Sequence, residues 1–129
     1  MPTPHRWRVA KAERFLGDAE EALRAEMWET CVSRCYYVAY HAVAALLESR
    51  GDYAQQRWRH ERLAATFEAR FTRRGFLFTK KDEDVFRRLL RERYAADYGN
   101  VQFTVTRARR VLEAARQLCN RLLEVISSG

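Results

Sequence analysis

Proline is nearly absent from this chain: its 129 residues hold two, Pro2 and Pro4, together with only five glycines. Past residue 4 no proline interrupts the backbone, which leaves long segments open to helix. Long apolar runs are missing too. Charge breaks each one before the roughly 20 residues that a membrane-spanning helix needs. The opening MPTPHRWRVAKAERF has no apolar stretch ahead of a small-residue cleavage site, so no secretion signal and a cytoplasmic location are expected. Cysteine is limited to Cys31, Cys35 and Cys119, an odd count unsuited to the disulfide framework of a secreted domain. Cys31 and Cys35 stand one helical turn apart, where they could clip a metal. The C-x-x-C spacing of common zinc sites and a second ligand pair are lacking, however. The thiols are read as core, and neither metal nor cofactor is expected.

What remains is an ordinary globular balance, 47% hydrophobic and 32% charged, in one domain over residues 1–129. Lysine and arginine total 24 against 17 acidic residues, a net charge of +7, and lysine occurs only at Lys11, Lys80 and Lys81. Arginine forks match phosphate oxygens in pairs, so a polyanionic partner is one reading of the charge. A solvated, arginine-rich helical surface is the other.

Apolar residues recur at spacings of three and four, which predicts helices. Val9, Ala12, Leu16, Ala19 and Leu23 form one stripe of a first helix over about residues 8–25. A second spans about Met27 to Arg50 and stops at Gly51, followed by the loop GDYAQQ. The third runs from about Trp58 to Arg73, with His60, Ala64, Phe67 and Phe71 on one side, and ends at Gly75. After the loop FLFTKKDED, a fourth covers about Asp82 to Tyr98, its first turn acidic as the helix dipole favours. Thr104 is the expected N-cap of a fifth, which carries Val105, Ala108, Leu112, Ala115, Cys119, Leu122 and Ile126. No stretch shows the period-two alternation of a strand. The expected fold is an all-α bundle of about five helices.

Several polar side chains fall on faces that should not meet bulk water. In the second helix, positions 34, 37, 41, 44 and 48 share a stripe, placing Arg34 and His41 about 10 Å apart along the axis with Tyr37 between them. A neighbouring stripe of Trp28, Cys31, Cys35, Ala39, Ala42 and Leu46 must face the core. In the fourth helix Phe86, Leu90, Arg93 and Asp97 align, so an i,i+4 pair of opposite charge lies on the inward face. An unpaired buried charge is costly, so Arg93 and Asp97 are expected to pair with each other or with groups from neighbouring helices. His60 points inward at the start of the third helix. Two readings follow: one site of Arg34, Tyr37, His41, His60, Arg93 and Asp97, or a satisfied network that fixes helix register.

Three stretches carry a family likeness: AKAERFLGDAEEALRAEMWETCVSRCYYVAYHAVAALLESRG, RHERLAATFEARFTRRGFL and LLRERYAADYGN. Together they resemble the HEPN domains, with S-R-x-Y-Y-x-x-x-H in the second helix, a histidine with spaced phenylalanines in the third and R-x-x-A-D-Y in the fourth. The likeness covers about residues 8–126. It implies an up-and-down bundle of four to five helices that forms a homodimer, with Trp7, Trp28 and Trp58 as contributors to the contact or as core. It further implies RNA or a nucleotide as ligand and either of two roles. One is a metal-independent endoribonuclease of toxin–antitoxin type, with Arg34 and Arg93 on the phosphate and His41 or His60 as acid–base group. The other is a non-catalytic subunit that binds a nucleotide or docks on a minimal nucleotidyltransferase.

The nuclease motif of those proteins is R-x(4–6)-H on a late helix. Here the positions after Arg93 where the histidine belongs hold Tyr98, Gly99 and Asn100, and Asp97 stands just before them. A carboxylate accepts a proton but does not donate one as an imidazolium does. Arg34 and His41 meet the spacing, on the second helix. The catalytic candidates are thus Arg34, His41, Arg93 and Asp97, with Tyr37, His60 and Tyr98 as ligand-binding candidates. Tyr98, or the nearby Tyr94, is also the candidate for modification by a transferase partner.

Overall fold

The computed structural model describes residues 5–54, 57–73 and 77–128. Five helices follow one another: α1 (Arg6–Arg24), α2 (Trp28–Ser49), α3 (His60–Phe67, widened into a π turn over Glu68–Thr72), α4 (Lys80–Tyr98) and α5 (Val105–Ser128). Side-chain pairs reveal their directions. Arg8 near the start of α1 meets Glu48 near the end of α2, so these two run antiparallel. Ser33 early in α2 meets Asp97 late in α4. Glu92 late in α4 meets Arg107 early in α5, and Asp82 early in α4 meets Arg121 late in α5. The topology is an all-α, up-and-down bundle.

Helix α2 is the hub, packed on α1, α4 and α5. Its alanines and cysteines explain the placement: Cys31, Cys35, Ala39, Ala42, Ala44 and Ala45 have no exposed surface, and small side chains let three neighbours approach at once. The predicted inward stripe is there, with Trp28 partly buried at its edge. The buried face is wider than the stripe, because Ala44 and Glu48 are covered as well. All three cysteines are free thiols in the core. Among the described residues no helix is long and apolar enough to cross a membrane.

Two boundaries differ from the sequence reading. Trp58 and Arg59 lie ahead of α3, with Arg59 in extended backbone at φ −79° and ψ 148°. The Trp58 carbonyl accepts a hydrogen bond from the Tyr40 hydroxyl at 2.6 Å, which ties that residue to α2 and leaves it out of the helix. Helix α4 begins two residues before Asp82, because Thr79 serves as its N-cap and its backbone N–H donates to the Asp82 carboxylate at 2.8 Å. Gly51, the expected stop of α2, sits at φ +90°, in the left-handed region that glycine enters without a Cβ clash. The expected stop at Gly75 lies outside the described residues. Thr104 caps α5 as expected, accepting the Arg107 backbone N–H at 3.2 Å.

Candidate functional site

Tyr37 lies on the side of α2 between α1 and α4. Its ring is 6.1 Å from Phe15 of α1 and 5.1 Å from the Arg93 guanidinium of α4. It therefore forms the floor of a groove walled by those two helices. At one end of the groove opens a cavity of about 610 Å³, lined among others by Tyr37, Tyr40, Arg57, Arg59, His60 and Arg93.

Arg93 is the most constrained cation there, its side chain 11% exposed. Its guanidinium faces the rings of Tyr36, Tyr37 and Tyr94 at 5.9, 5.1 and 5.4 Å. Asp97 Oδ2 lies 3.3 Å from Nε, within ion-pairing reach, yet the Nε–H is not aligned with it and makes no hydrogen bond. Asp97 instead accepts from the Ser33 hydroxyl at 3.4 Å. The pairing expected from i,i+4 spacing is present as charge proximity, and a buried donor is left unmet. An unmet buried donor carries a cost, and the cation that bears it lines the cavity.

His60 lines the same cavity as Arg93. Its Nδ1 lies 2.6 Å from the Tyr36 hydroxyl. Burial holds the Tyr36 phenol well above its usual range, so that hydroxyl keeps its proton. Burial, then the nearby charges of Arg93 and Arg57, lower the His60 pKa below its ordinary value and leave the ring neutral near pH 7. The Nε2 atom has no protein hydrogen bond among the described residues. Arg57 and Arg59 are exposed and flank Trp58, whose indole N–H donates to Glu48 Oε2 at 3.2 Å. The clamp on Trp58, through its indole and its carbonyl, fixes the two arginines at the cavity rim.

The remaining predicted residues fall elsewhere. His41 does not face this cavity as an open acid–base group. Arg8 Nη1 lies 3.1 Å from His41 Nδ1; since a guanidinium only donates, Nδ1 must accept and the proton sits on Nε2. Burial, then Arg8, Lys11 and Arg14, depress the His41 pKa to about 4. Phe15 stacks on it at 5.6 Å and the edge of Trp7 at 5.9 Å. Arg34 lies on the far side of Tyr37 from Arg93, its guanidinium 5.5 Å from the Phe15 ring and beside a hollow lined by Asp18 and Glu21. Tyr98 is 75% exposed, its ring 6.3 Å from that of Tyr94 at the end of α4. The expected six-residue site is therefore divided. Tyr37, His60 and Arg93 line the cavity, with Asp97 behind Arg93 and outside the lining, whereas His41 and Arg34 lie on the α1 side.

Sequence reasoning missed Arg8, Tyr36, Tyr40, Glu48, Arg57 and Arg59. Glu48 had a signal, for it shares the stripe of Arg34, Tyr37 and His41, where a carboxylate among apolar residues calls for a partner. Arg57 and Arg59 had none beyond charge, since a loop carries no helical phase. Among the described residues no group of three His, Cys, Asp or Glu side chains is placed to hold a metal.

Set beside known proteins, residues 5–126 match the HEPN domain family, and no curated protein matches the chain. That family match points to a nucleotide- or RNA-related role at the level of the family. The match runs through all five helices and takes in the tyrosines of α2, His60 and Arg93 alike, and on it the chain belongs to the HEPN domain family.

Proposed function

We propose that the protein binds a phosphate-bearing ligand, a nucleotide or RNA, in the cavity between α2, the approach to α3 and α4. The observation that carries this reading is Arg93, which lines the cavity among three tyrosine rings, its Nε–H out of line with the Asp97 carboxylate beside it. A phosphate oxygen meets the part of the Arg93 guanidinium that lines the cavity, Arg57 and Arg59 supply further charge, and His60 Nε2 offers a neutral hydrogen-bonding group. Tyr37 and Tyr40 give faces for a base or ribose.

The test is thermal unfolding with nucleoside monophosphates, diphosphates and short single-stranded RNA. At a hundred times its dissociation constant a ligand raises stability by about 2.7 kcal/mol, a shift of several degrees for this chain length. Arg93→Met is expected to abolish the shift. A wild-type melting curve unmoved by every such ligand would reject the reading.

A second reading, an endoribonuclease, has one observation in its favour: His60 is neutral, lines the cavity and stands with Arg93. In that reaction the 2′-oxygen bonds to phosphorus, its proton passes to His60 Nε2 while the Nδ1–H donates to the Tyr36 oxygen, and the P–O5′ bond breaks with a proton delivered from solvent. Arg93 stabilises the charge that develops on phosphorus. It predicts cutting of single-stranded RNA that His60→Ala abolishes; intact RNA at high protein concentration leaves the binding role alone. The homodimer, the nucleotidyltransferase partner and the toxin–antitoxin role belong to the same proposal. Light scattering and co-purification with a neighbouring-gene product test them.

A further inference from the structure

The chain contains Arg-Trp-Arg twice, at Arg6-Trp7-Arg8 and Arg57-Trp58-Arg59, and the two triplets meet at one atom. Glu48 Oε2 accepts from Arg8 Nε at 3.2 Å and from Trp58 Nε1 at 3.2 Å. Their outward residues are complementary. In the second triplet the tryptophan is buried at 4% exposure and its arginines point to the cavity rim. In the first it is Arg8 that is buried, and Trp7 stands 51% exposed. A large apolar ring left half in water, with a guanidinium 4.2 Å from its centre, is not used up by the core.

Beside Trp7 opens a hollow of about 220 Å³ whose other walls are Ala10, Lys11 and Arg14, one face of α1. Lys11 and Arg14 rest on the Phe15 ring, each cationic group 5.6 Å from its centre. Neither has a carboxylate partner among the described residues. The hollow and the Arg93 cavity share no lining residue, and the rings of His41, Phe15 and Tyr37 lie between them. From Trp7 the side chains run to His41 at 5.9 Å, Phe15 at 5.6 Å, Tyr37 at 6.1 Å and the Arg93 guanidinium at 5.1 Å.

We propose that Trp7, Lys11 and Arg14 form a second subsite, which takes a base and its backbone phosphates from the same single-stranded RNA whose phosphate further along the strand meets Arg93. The proposal rests on the cavity reading above and extends it from a lone nucleotide to a strand. An exposed indole between two cations repeats what a strand presents, a flat base beside a phosphate. A duplex hides its base faces in the stack, so the ring selects unpaired nucleotides. A mononucleotide satisfies Arg93 alone; a strand reaches both ends of the groove.

The experiment measures fluorescence anisotropy of a labelled oligouridylate of roughly eight nucleotides, within the usual footprint of single-strand binders, with competition by unlabelled UMP. Trp7→Ala is expected to weaken the oligonucleotide about tenfold, the loss typical of one stacked base, and to leave UMP competition at its wild-type value. The double variant Lys11→Gln, Arg14→Gln leaves Trp7 and the buried Arg8 in place and is expected to weaken the oligonucleotide and flatten its salt dependence. Wild-type binding of both ligands with unchanged oligonucleotide affinity in both variants would overturn the subsite and spare the cavity. Equal losses for UMP and oligonucleotide would overturn it too, as a general disturbance of the groove. Failure of the wild type to bind either ligand would bring down the cavity reading and the subsite together.

Discussion

Because Arg8 can only donate, protonating His41 at Nδ1 must break their contact and leave two cations facing each other. Folding is thereby linked to pH. Desolvation, then Arg8, Lys11 and Arg14, hold the folded pKa near 4, whereas the unfolded chain takes up the proton near the ordinary 6.5. As pH falls from 6.5 towards 4 the unfolded state binds the proton and the native state does not, so stability declines across that window and is full above it. Sealed from water, the ring would contribute about 3 kcal/mol; His41 is only half-buried, and solvent screening trims this to about 2 kcal/mol. Urea denaturation at pH 7.0, 5.5 and 4.5 measures it, with His41→Gln as reference, since an amide oxygen accepts from Arg8 and does not titrate. His60, also lowered by burial, contributes with the same sign to both proteins and cancels in the difference. Glu83 cancels likewise and titrates lower still: burial pushes it up, but Arg87 and Lys80 more than offset that and hold it at about 2. The wild type should lose about 2 kcal/mol more than the variant between pH 7.0 and 4.5. Parallel curves would refute the assignment of a neutral, Arg8-bonded His41 and reopen it as an acid–base group.

Two further predictions concern the charges around the groove. Glu48→Ala leaves Arg8 buried without its carboxylate and the Trp58 indole N–H without an acceptor; a loss of about 3 to 5 kcal/mol in chemical denaturation is expected, and one below about 1 kcal/mol would mean that water already solvates the pair. Asp97→Asn should act in opposite directions on two readouts, lowering stability slightly because Arg93 loses its nearest anion and raising affinity for phosphate ligands because a competing carboxylate is gone. Calorimetric titration beside a melting curve tests this, and a fall in both would show that Asp97 orients Arg93 for the ligand.

The helices were legible because their phase is written in spacing: the stripe from Cys31 to Leu46 and the one from Ala108 to Leu122 each name a buried face. What phase cannot give is which of two flanking helices a border residue meets. Arg34 and His41 share a stripe with Tyr37, yet the flank they turn to belongs to α1, and Arg93 lies across α2 on the α4 flank. That assignment depends on tertiary packing, so six polar residues that looked like one site divide into two groups. The approach to α3 was illegible for a different reason. Trp58 was expected at the start of a helix, and the Tyr40 and Glu48 hydrogen bonds, from residues 18 and 10 positions away, hold it outside α3.

The two groups differ in how completely their polar atoms are met, and that difference separates scaffold from site. Around Glu48 the Arg8, Trp58 and His41 contacts answer one another, and Arg8 and Glu48 are nearly sealed from water. A network satisfied by its own members has little to offer a ligand, and its removal should register as lost stability. Around Arg93 the accounting is incomplete: a buried donor faces a carboxylate out of line, a neutral imidazole has an unused nitrogen, and a cavity large enough for a nucleotide opens between them. The satisfied cluster holds Trp58, and through Trp58 it sets Arg57 and Arg59 at the rim of the unsatisfied one. The proposed binding at Arg93 therefore depends on a carboxylate that never touches the ligand.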